Sequence, residues 1–446
     1  MKILLYTDLT IRHDQLFWHR DLGLLTKAFR DLGHDAYLVV HLATEPSATP
    51  AVPNELAHPR EQPCDMSSEA LAKEEAPPER SEARSALGRQ PCEAQQGLPR
   101  LSVAGPHSEI RNSKSPTPPG LWPSPPDVRN PSWWQSQKPD LVILGLWTRP
   151  KYDPIRRAAL SATPRVIERA DSDGMRTASC GLLTYAKRRF DYFRDRTSCW
   201  PSLLSIPASI FYSFASVLAT PWIEYRLRKT LRLLPSILVE TPPATGLWKS
   251  LALRLGADPE KIHRVPHPIQ TDIFKFDPAV PKKNQIISVG RWESYQKNLP
   301  LLLKTLCSFL NKNPTWTSVV IGSGLPTKSP HPRITFLSST APNQLARHMQ
   351  ESKIFLSSSR YESFGLAAAE ATACGCAIVG TSENHILESY MPRPNGLHIC
   401  ATKHLAEKID SASRIEPNET TFLKKTMNLS PQNVAKLLLS TLPNAP

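Results

Sequence analysis

The sequence lacks the patterns that mark several common classes of protein. Its eight cysteines show neither zinc-ligand spacing nor a paired disulfide rhythm, and Cys374 and Cys376 lie in an apolar run, so we expect buried thiols rather than metal ligands. No nucleic-acid motif with interleaved aromatic residues is present, so no nucleic acid partner is expected. The apolar N-terminus is too short for a signal peptide and soon reaches Asp8, which predicts a first strand and a cytoplasmic protein.

Apolar residues are also scarce, at 40% of a chain of 446 residues. The deficit is local, because Pro, Ser, Glu, Arg and Gln dominate residues 44–136. Such a segment buries too little apolar surface to offset its chain entropy. We therefore expect a long disordered insertion in a surface loop, with a small folded subdomain as the alternative.

Short apolar runs alternate with helical stretches through the rest of the chain. Lys2–Thr7 and Asp35–Val40 flank the first helical stretch, and a second series of the same kind begins at Gln285. Each series is a β-α-β pattern typical of a doubly wound sheet. The sequence predicts an α/β protein with two Rossmann-like domains, residues 1–265 and 266–446, that face an interdomain cleft.

Residues 199–223 carry no charged side chain over 25 positions, and basic clusters flank them. Prolines and hydroxyls argue against a lipid-embedded span, and Ser or Thr every three or four residues would form one stripe on a helix. One interpretation is a helix that lies in the interface of an anionic membrane, which also suits the net charge of +14. The other is a helix buried on most sides, with hydroxyls bonded to its own carbonyls.

The first candidate site residues end a predicted strand. Gly290 and Arg291 close that strand, and Lys297 follows six residues later at a helix start. Glycine lets the backbone come close to a ligand, and the two cations supply charge-assisted hydrogen bonds to a diphosphate. Alone this pattern is weak, because Arg and Lys are common on surfaces.

A second pattern strengthens the first. Glu362 lies in a turn before an alanine-rich helix, and Glu370 lies inside that helix, eight residues on. Backbone N–H groups of Phe364, Gly365 and Leu366 at the helix start favour an anion. We expect Glu370 to accept hydrogen bonds from ribose hydroxyls and Glu362 from the transferred sugar.

With these residues the sequence resembles the family 4 (group 1) glycosyltransferases of the GT-B fold, over about residues 263–400. The segment 265–274 is similar to the interdomain segment of that family, and Ile321–Gly324 to its glycine turn. Glu362 and Glu370 resemble its paired glutamates. The resemblance implies a retaining, metal-independent transferase with a nucleotide-diphosphate sugar as donor and no cofactor. It implies catalytic and donor-binding roles for these positions: Arg291, Lys297, Glu362, Gly290, Gly322, Phe364, Gly365, Leu366 and Glu370.

The acceptor side of the cleft departs from the family pattern. The loop after the first strand has no glycine pair, and it offers His13, Asp14 and His19 as candidate bases. Asp171 and Asp173 follow another predicted strand, where a capped turn is the plainer interpretation and an acceptor contact or a metal site the alternatives. No metal site is expected overall.

The expected function is sugar transfer to a glycan or lipid-linked acceptor in cell-envelope polysaccharide synthesis. The apolar segment and the positive charge suggest peripheral membrane contact through 199–223. Two other classes remain open: a nucleotide-sugar epimerase of the same architecture, and a non-catalytic protein that binds a nucleotide sugar.

Overall fold

The computed structural model describes most of the chain outside one long N-terminal segment. The described residues are 1–11, 20–42, 120–123, 127–146, 150–170, 182–196, 201–338, 340–381, 397–401, 404–414 and 427–442.

Seven parallel strands form the first sheet, in the order β3-β2-β1-β4-β5-β6-β7. The strands are β1 (Lys2–Ile11), β2 (Asp35–Leu42), β3 (Leu121–Pro123), β4 (Leu141–Gly145), β5 (Val166–Arg169), β6 (Ser236–Val239) and β7 (Ile262–Arg264). The helices of this part are α1 (Asp21–Asp31), α2 (Pro131–Gln137), α3 (Asp153–Leu160), α4 (Leu182–Arg196), α5 (Ser202–Leu218), α6 (Thr220–Leu233) and α7 (Pro242–Arg254).

Six parallel strands form the second sheet, in the order β10-β9-β8-β11-β12-β13. The strands are β8 (Lys283–Arg291), β9 (Thr317–Ser323), β10 (Ile334–Leu337), β11 (Ser352–Ser357), β12 (Ala377–Thr381) and β13 (Leu397–Cys400). The helices are α8 (Leu299–Lys312), α9 (Pro342–Glu351), α10 (Leu366–Ala373) and α11 (Leu405–Ser413), and a last helix, α12, spans Pro431–Ser440.

Both sheets are covered on both faces, as a doubly wound fold requires. Along β1, Leu4 and Tyr6 join the core cluster on one face, while Ile3 and Leu5 join the cluster on the other. Successive strand residues point to opposite faces, so a strand that is apolar throughout is buried on both. The prediction of two Rossmann-like domains from continuous apolar runs is confirmed.

The predicted insertion at 44–136 is shorter than expected at its C-terminal end. Strand β3 pairs with β2, and helix α2 places Trp134 in the core with its indole N–H donating to the carbonyl of Val128 at 2.8 Å. Residues 44–119 of the predicted insertion lie outside the described residues, so their disorder stays a prediction. The sequence around Trp134 is rich in Pro and Ser and has no helical periodicity. The helix that buries this tryptophan was therefore not predicted.

The last helix does not stay with the second sheet. Val434, Ala435 and Leu438 of α12 share a core cluster with Ile3 and Leu5 of the first sheet. The predicted boundary, which places 266–446 in one domain, therefore fails for residues 431–440, because the chain crosses back and buries this apolar face against α1.

Within the uncharged segment, residues 202–223 lie on two helices rather than one. Helices α5 and α6 are bent by 46° relative to each other at Ala219. Within the described residues no single helix is both long and apolar enough to cross a membrane, although the bent pair meets those limits by length and composition. The hydroxyl contacts predicted by the second interpretation are present, because Ser209 donates to the carbonyl of Ser205 at 2.6 Å and Ser216 to that of Tyr212 at 2.7 Å. Its prediction of burial on most sides is wrong, because Leu203 is 88% and Phe211 73% exposed.

The two neighbouring cysteines are buried, as the sequence predicts. Cys374 and Cys376 both lie in the core, and burial raises the pKa of each thiol. Among the described residues, no three His, Cys, Asp or Glu side chains are grouped as metal ligands.

Candidate functional site

A tight turn places Lys297 at the end of the second sheet. The 3-10 turn Tyr295–Lys297 follows β8, and Asn298 then takes a left-handed conformation, with φ 54°, before α8 begins. A Cβ on Gly290 would lie 3.3 Å from Cγ and Cδ of Lys297. The missing side chain of Gly290 therefore makes room for the lysine stem at the carboxyl end of β8.

Gly322 lets β9 approach the same strand end. Its φ is 138°, and a Cβ there would lie 1.7 Å from the carbonyl oxygen of Gly290. This contact involves two backbones, so no side-chain rotation relieves it. The packing of β9 against β8 therefore requires glycine at position 322, independently of any contact with a nucleotide.

Replacing Gly322 with alanine should lower the free energy of unfolding by more than about 3 kcal/mol, because the new Cβ both clashes and strains the backbone. Thermal and urea unfolding would measure the loss. Gly246→Ala is the matched control: it lies within α7 with nothing within 4 Å of the added Cβ, and should stabilise by about 0.5–1 kcal/mol. Equal stability of the two variants would contradict the packing argument.

The Lys297 ammonium contacts the carboxylate of Glu362, 65 residues away in the chain, at 2.5 Å. Gln296 supports the pair, because its side-chain amide donates to Oε2 of Glu362 at 3.2 Å and to the carbonyl of Tyr361 at 2.8 Å. Both charged groups line one small cavity of about 20 Å³, together with Gly365. The predicted juxtaposition of Lys297 and Glu362 is present, and the two groups form an ion pair.

Helix α10 begins at Leu366, not at Phe364 as the sequence predicts. Gly365 precedes it with φ 84°, a left-handed conformation that glycine adopts without strain. The N–H groups of Leu366 and Ala367 open the helix, and helix geometry gives them no intrahelical acceptor. The anion-favouring end of the helix therefore lies at 366–367, beside Glu362 and Lys297.

Glu370 is buried on α10, with 4% of its surface exposed. Its Oε2 has no hydrogen-bond partner among the described residues. Burial raises the pKa of the Glu370 carboxyl, and the charge of Arg20 in the first domain acts in the opposite sense. A buried carboxylate oxygen without a donor is costly, so this group suits a ligand that brings hydroxyl donors.

Phe364 packs against a histidine of the interdomain segment. Its ring meets that of His267 edge-on, with centroids 5.4 Å apart. Nδ1 of His267 lies 2.8 Å from Oδ1 of Asp21, and Nε of Arg169 lies 2.8 Å from the same oxygen. This network of Asp21, Arg169 and His267 thus touches the loop that carries Glu362.

Sequence reasoning missed this network and Arg20. Glu240 also belongs to the network, because its Oε1 lies 3.4 Å from Nε2 of His267. Arg169 ends β5 and Glu240 follows β6, so both lie at the carboxyl ends of parallel strands, where ligand sites of such sheets are found. Their position at the ends of predicted strands is the sequence signal that could have identified both residues. Asp21 and Arg20 open α1 without any motif around them.

Arg291, predicted to act with Lys297, ends β8 with an exposed side chain that makes no ion pair among the described residues. The predicted acceptor-side residues His13, Asp14, His19, Asp171 and Asp173 lie outside the described residues. Their roles stay predictions.

Comparisons with known proteins show which family and which folds this chain resembles. Residues 270–427 match the family model of group 1 glycosyl transferases. A search of curated proteins found no match.

Among solved structures, Anabaena HepE in complex with UDP-glucose is similar, at a TM-score of 0.53 and 12% identity over 99% of both chains. Sucrose-phosphate synthase from Thermosynechococcus elongatus is similar at 0.51 and 12% identity, over 98% of this chain and 97% of its own. At this identity the likeness establishes the fold. The chain therefore has the GT-B fold, and its residues 270–427 are similar to the group 1 glycosyl transferases.

Proposed function

We propose that this protein is a retaining glycosyltransferase of family 4 that moves a sugar from a nucleoside-diphosphate donor to a glycan or lipid-linked acceptor. The observation that carries the proposal is the contact between Lys297 and Glu362 beside the start of α10, inside the region that matches group 1 glycosyl transferases. The role in cell-envelope polysaccharide synthesis is part of the same proposal.

The donor diphosphate would bind where the cation and the helix start meet. Its negative oxygens would draw Lys297 away from Glu362, and the N–H groups that open α10 would donate to them. Glu362, freed from its pair, would accept hydrogen bonds from the transferred sugar. Glu370 would accept from the ribose hydroxyls, which supply the donors that its buried oxygen lacks.

Transfer needs a leaving group that is stabilised as it departs. Positive charge grows on the sugar ring in an oxocarbenium-like transition state, while the diphosphate becomes more negative. Lys297 and the helix start stabilise that negative charge more in the transition state than in the ground state. The departing phosphate oxygen accepts the proton of the acceptor hydroxyl on the same face, so configuration is retained without a protein nucleophile. Arg291 and Lys297 supply the positive charge, so the proposed reaction requires neither a metal ion nor a cofactor.

The test is incubation of purified protein with UDP-, GDP- and ADP-sugars, with and without glycan and lipid-linked acceptors. UDP-sugars come first, because HepE was solved with UDP-glucose. Nucleotide release that requires an acceptor supports transfer, and NMR of the new linkage would show whether configuration is retained. Turnover that survives prolonged chelation supports metal independence.

Two other outcomes would contradict transfer. An epimerase would interconvert the donor sugar without any acceptor, and a binding protein would hold the donor and release nothing. Loss of turnover on chelation would overturn only the metal-independent part.

The proposal places the protein in the cytoplasm, peripheral on the inner face of the membrane. An acceptor carried by a lipid would then lie within reach of the cleft.

A further inference from the structure

Helix α5 is inverted relative to an ordinary surface helix. Its serines face the protein, and its large apolar side chains face outward. Ser205, Ser209 and Ser213 are buried, and Ser213 donates to the carbonyl of Ala186 in α4 at 2.7 Å. The other side of the helix exposes large apolar side chains: Leu203, Leu204, Ile210, Phe211, Phe214 and Leu218. We call this surface, with the adjoining exposed side of α6, the α5–α6 face.

The exposed side of α6 continues the face with aromatic and basic residues. The guanidinium of Arg226 lies over the ring of Trp222 at 5.1 Å, and the ammonium of Lys229 lies over the ring of Tyr225 at 4.6 Å. Trp222 and Tyr225 are 61% and 56% exposed. Trp and Tyr beside Lys and Arg are typical of the boundary between lipid tails and head groups.

The charge around the face is mainly positive. Residues 182–233 contain nine Lys and Arg against three Asp and Glu, a net charge of +6. One of the acids, Glu224, is paired with Arg254 through two contacts of 2.7 Å. A second copy would bring the same positive charge to an isologous contact, so charge complementarity favours an anionic occupant.

We infer that the α5–α6 face docks on an anionic lipid bilayer, with α5 and α6 lying in the interface. The exposed Leu, Ile and Phe side chains enter the acyl boundary, and the Lys and Arg side chains meet lipid phosphates. The serine side of α5 stays on the protein. Large apolar side chains exposed together on one side of a helix, beside Lys and Arg, are uncommon on a protein that meets only water.

The docked face is tied to the donor site by α4. Tyr192 of α4 meets Tyr295 edge-on with ring centroids 6.5 Å apart, and Arg188 lies 5.7 Å from the centre of the Tyr361 ring. Tyr295 and Tyr361 belong to the two loops that carry Lys297 and Glu362. Docking would thus hold the cleft near the bilayer; this last consequence, unlike the docking itself, rests on the proposed function.

The test is sedimentation of the full chain with phosphatidylcholine vesicles that contain or lack phosphatidylglycerol. Binding should require the anionic lipid and weaken with added salt. Phe211→Glu/Phe214→Glu should bind at least about a hundredfold more weakly, because two exposed aromatic rings no longer enter the lipid. Leu437→Glu, at a position 41% exposed on α12, is the matched control and should bind as the parent does.

A second pair of variants tests the charge. Arg228→Gln/Lys229→Gln should bind roughly thirtyfold more weakly, since each cation near an anionic surface contributes a factor of about five. Lys312→Gln/Lys328→Gln, on exposed positions of the second domain, should bind unchanged. Calorimetry with UDP should give the same affinity for all these variants, which separates docking from donor binding.

No binding of the parent to anionic vesicles would overturn the inference. So would equal binding of the Phe211→Glu/Phe214→Glu variant and its control. A parent dimer in sedimentation velocity that this variant abolishes, without vesicle binding, would assign the face to self-association instead. Vesicle binding by a protein that neither binds nor uses any nucleotide sugar would uphold the docking surface and contradict the proposed function.

Discussion

Replacing Lys297 with methionine should lower kcat/KM for sugar transfer on the order of 10³-fold while leaving the fold intact. The ammonium is the only cation that the structure brings onto Glu362 among the described residues, and in the proposed mechanism it stabilises the departing diphosphate. Loss of one preorganised donor to a developing oxyanion costs on the order of 10²–10³ in kcat, and the lost positive charge adds to this. Steady-state kinetics with the cognate donor would measure the effect, and the drop should fall mainly on kcat.

Lys304→Met is the matched control, because Lys304 is exposed on α8, seven positions further along the chain. It should retain the activity of the parent. Arg291→Met provides a graded comparison: its side chain is exposed and makes no ion pair among the described residues, so any large loss there would have to arise in the donor complex. If Lys297→Met raised KM and left kcat unchanged, the lysine would act in ground-state binding alone.

The second domain was predictable because its signals are local. Strand β8 is a short apolar run that ends in Gly290 and Arg291, and α10 is a run of alanines that follows a turn. The ordered motifs also place Lys297 near Glu362, since parallel strands bring their carboxyl ends to one edge of the sheet. What the motifs do not reveal is that the two charges pair with each other, because that depends on the turn at Tyr295–Lys297 and on Gln296.

The first domain was harder because its key contacts are long-range. The serine stripe of α5 follows from helical periodicity, but periodicity does not say which side of a helix faces the protein. Hydroxyls face inward because Ser213 finds an acceptor on α4, and the apolar residues are left outside. In the same way, Val434 and Leu438 mark an apolar side of α12 without specifying which of two sheets receives it. Arg169 lies at the carboxyl end of a predicted strand, but its contact with Asp21 is seen only in the folded structure.

Replacing Glu370 with glutamine should weaken the affinity for the donor nucleotide roughly 10- to 100-fold. A hydrogen bond to a charged group contributes about 1.5–3 kcal/mol, and an amide oxygen accepts from the ribose hydroxyls without that charge. Calorimetric titration with the nucleotide would measure the loss. Glu407→Gln, on an exposed side chain of α11, should bind as the parent does. Equal affinities for both variants and the parent would tell against the ribose role.

The pH dependence of nucleotide affinity tests whether Glu370 acts as a charged carboxylate or is only a buried group. Burial raises the pKa of Glu370 above its ordinary 4.5, so protonation begins at a higher pH than for an exposed glutamate. Nucleotide affinity of the parent should therefore fall as pH is lowered through that raised pKa, since hydroxyl donors favour the ionised form. The free energy of unfolding of the protein without nucleotide has the opposite pH dependence. A raised pKa of Glu370 in the folded state stabilises the protein at low pH, and this contribution is lost as pH rises through that pKa. Glu370→Gln should lack both steps, and because the phosphates of the nucleotide titrate equally with both proteins, the difference between the two curves isolates this one carboxyl.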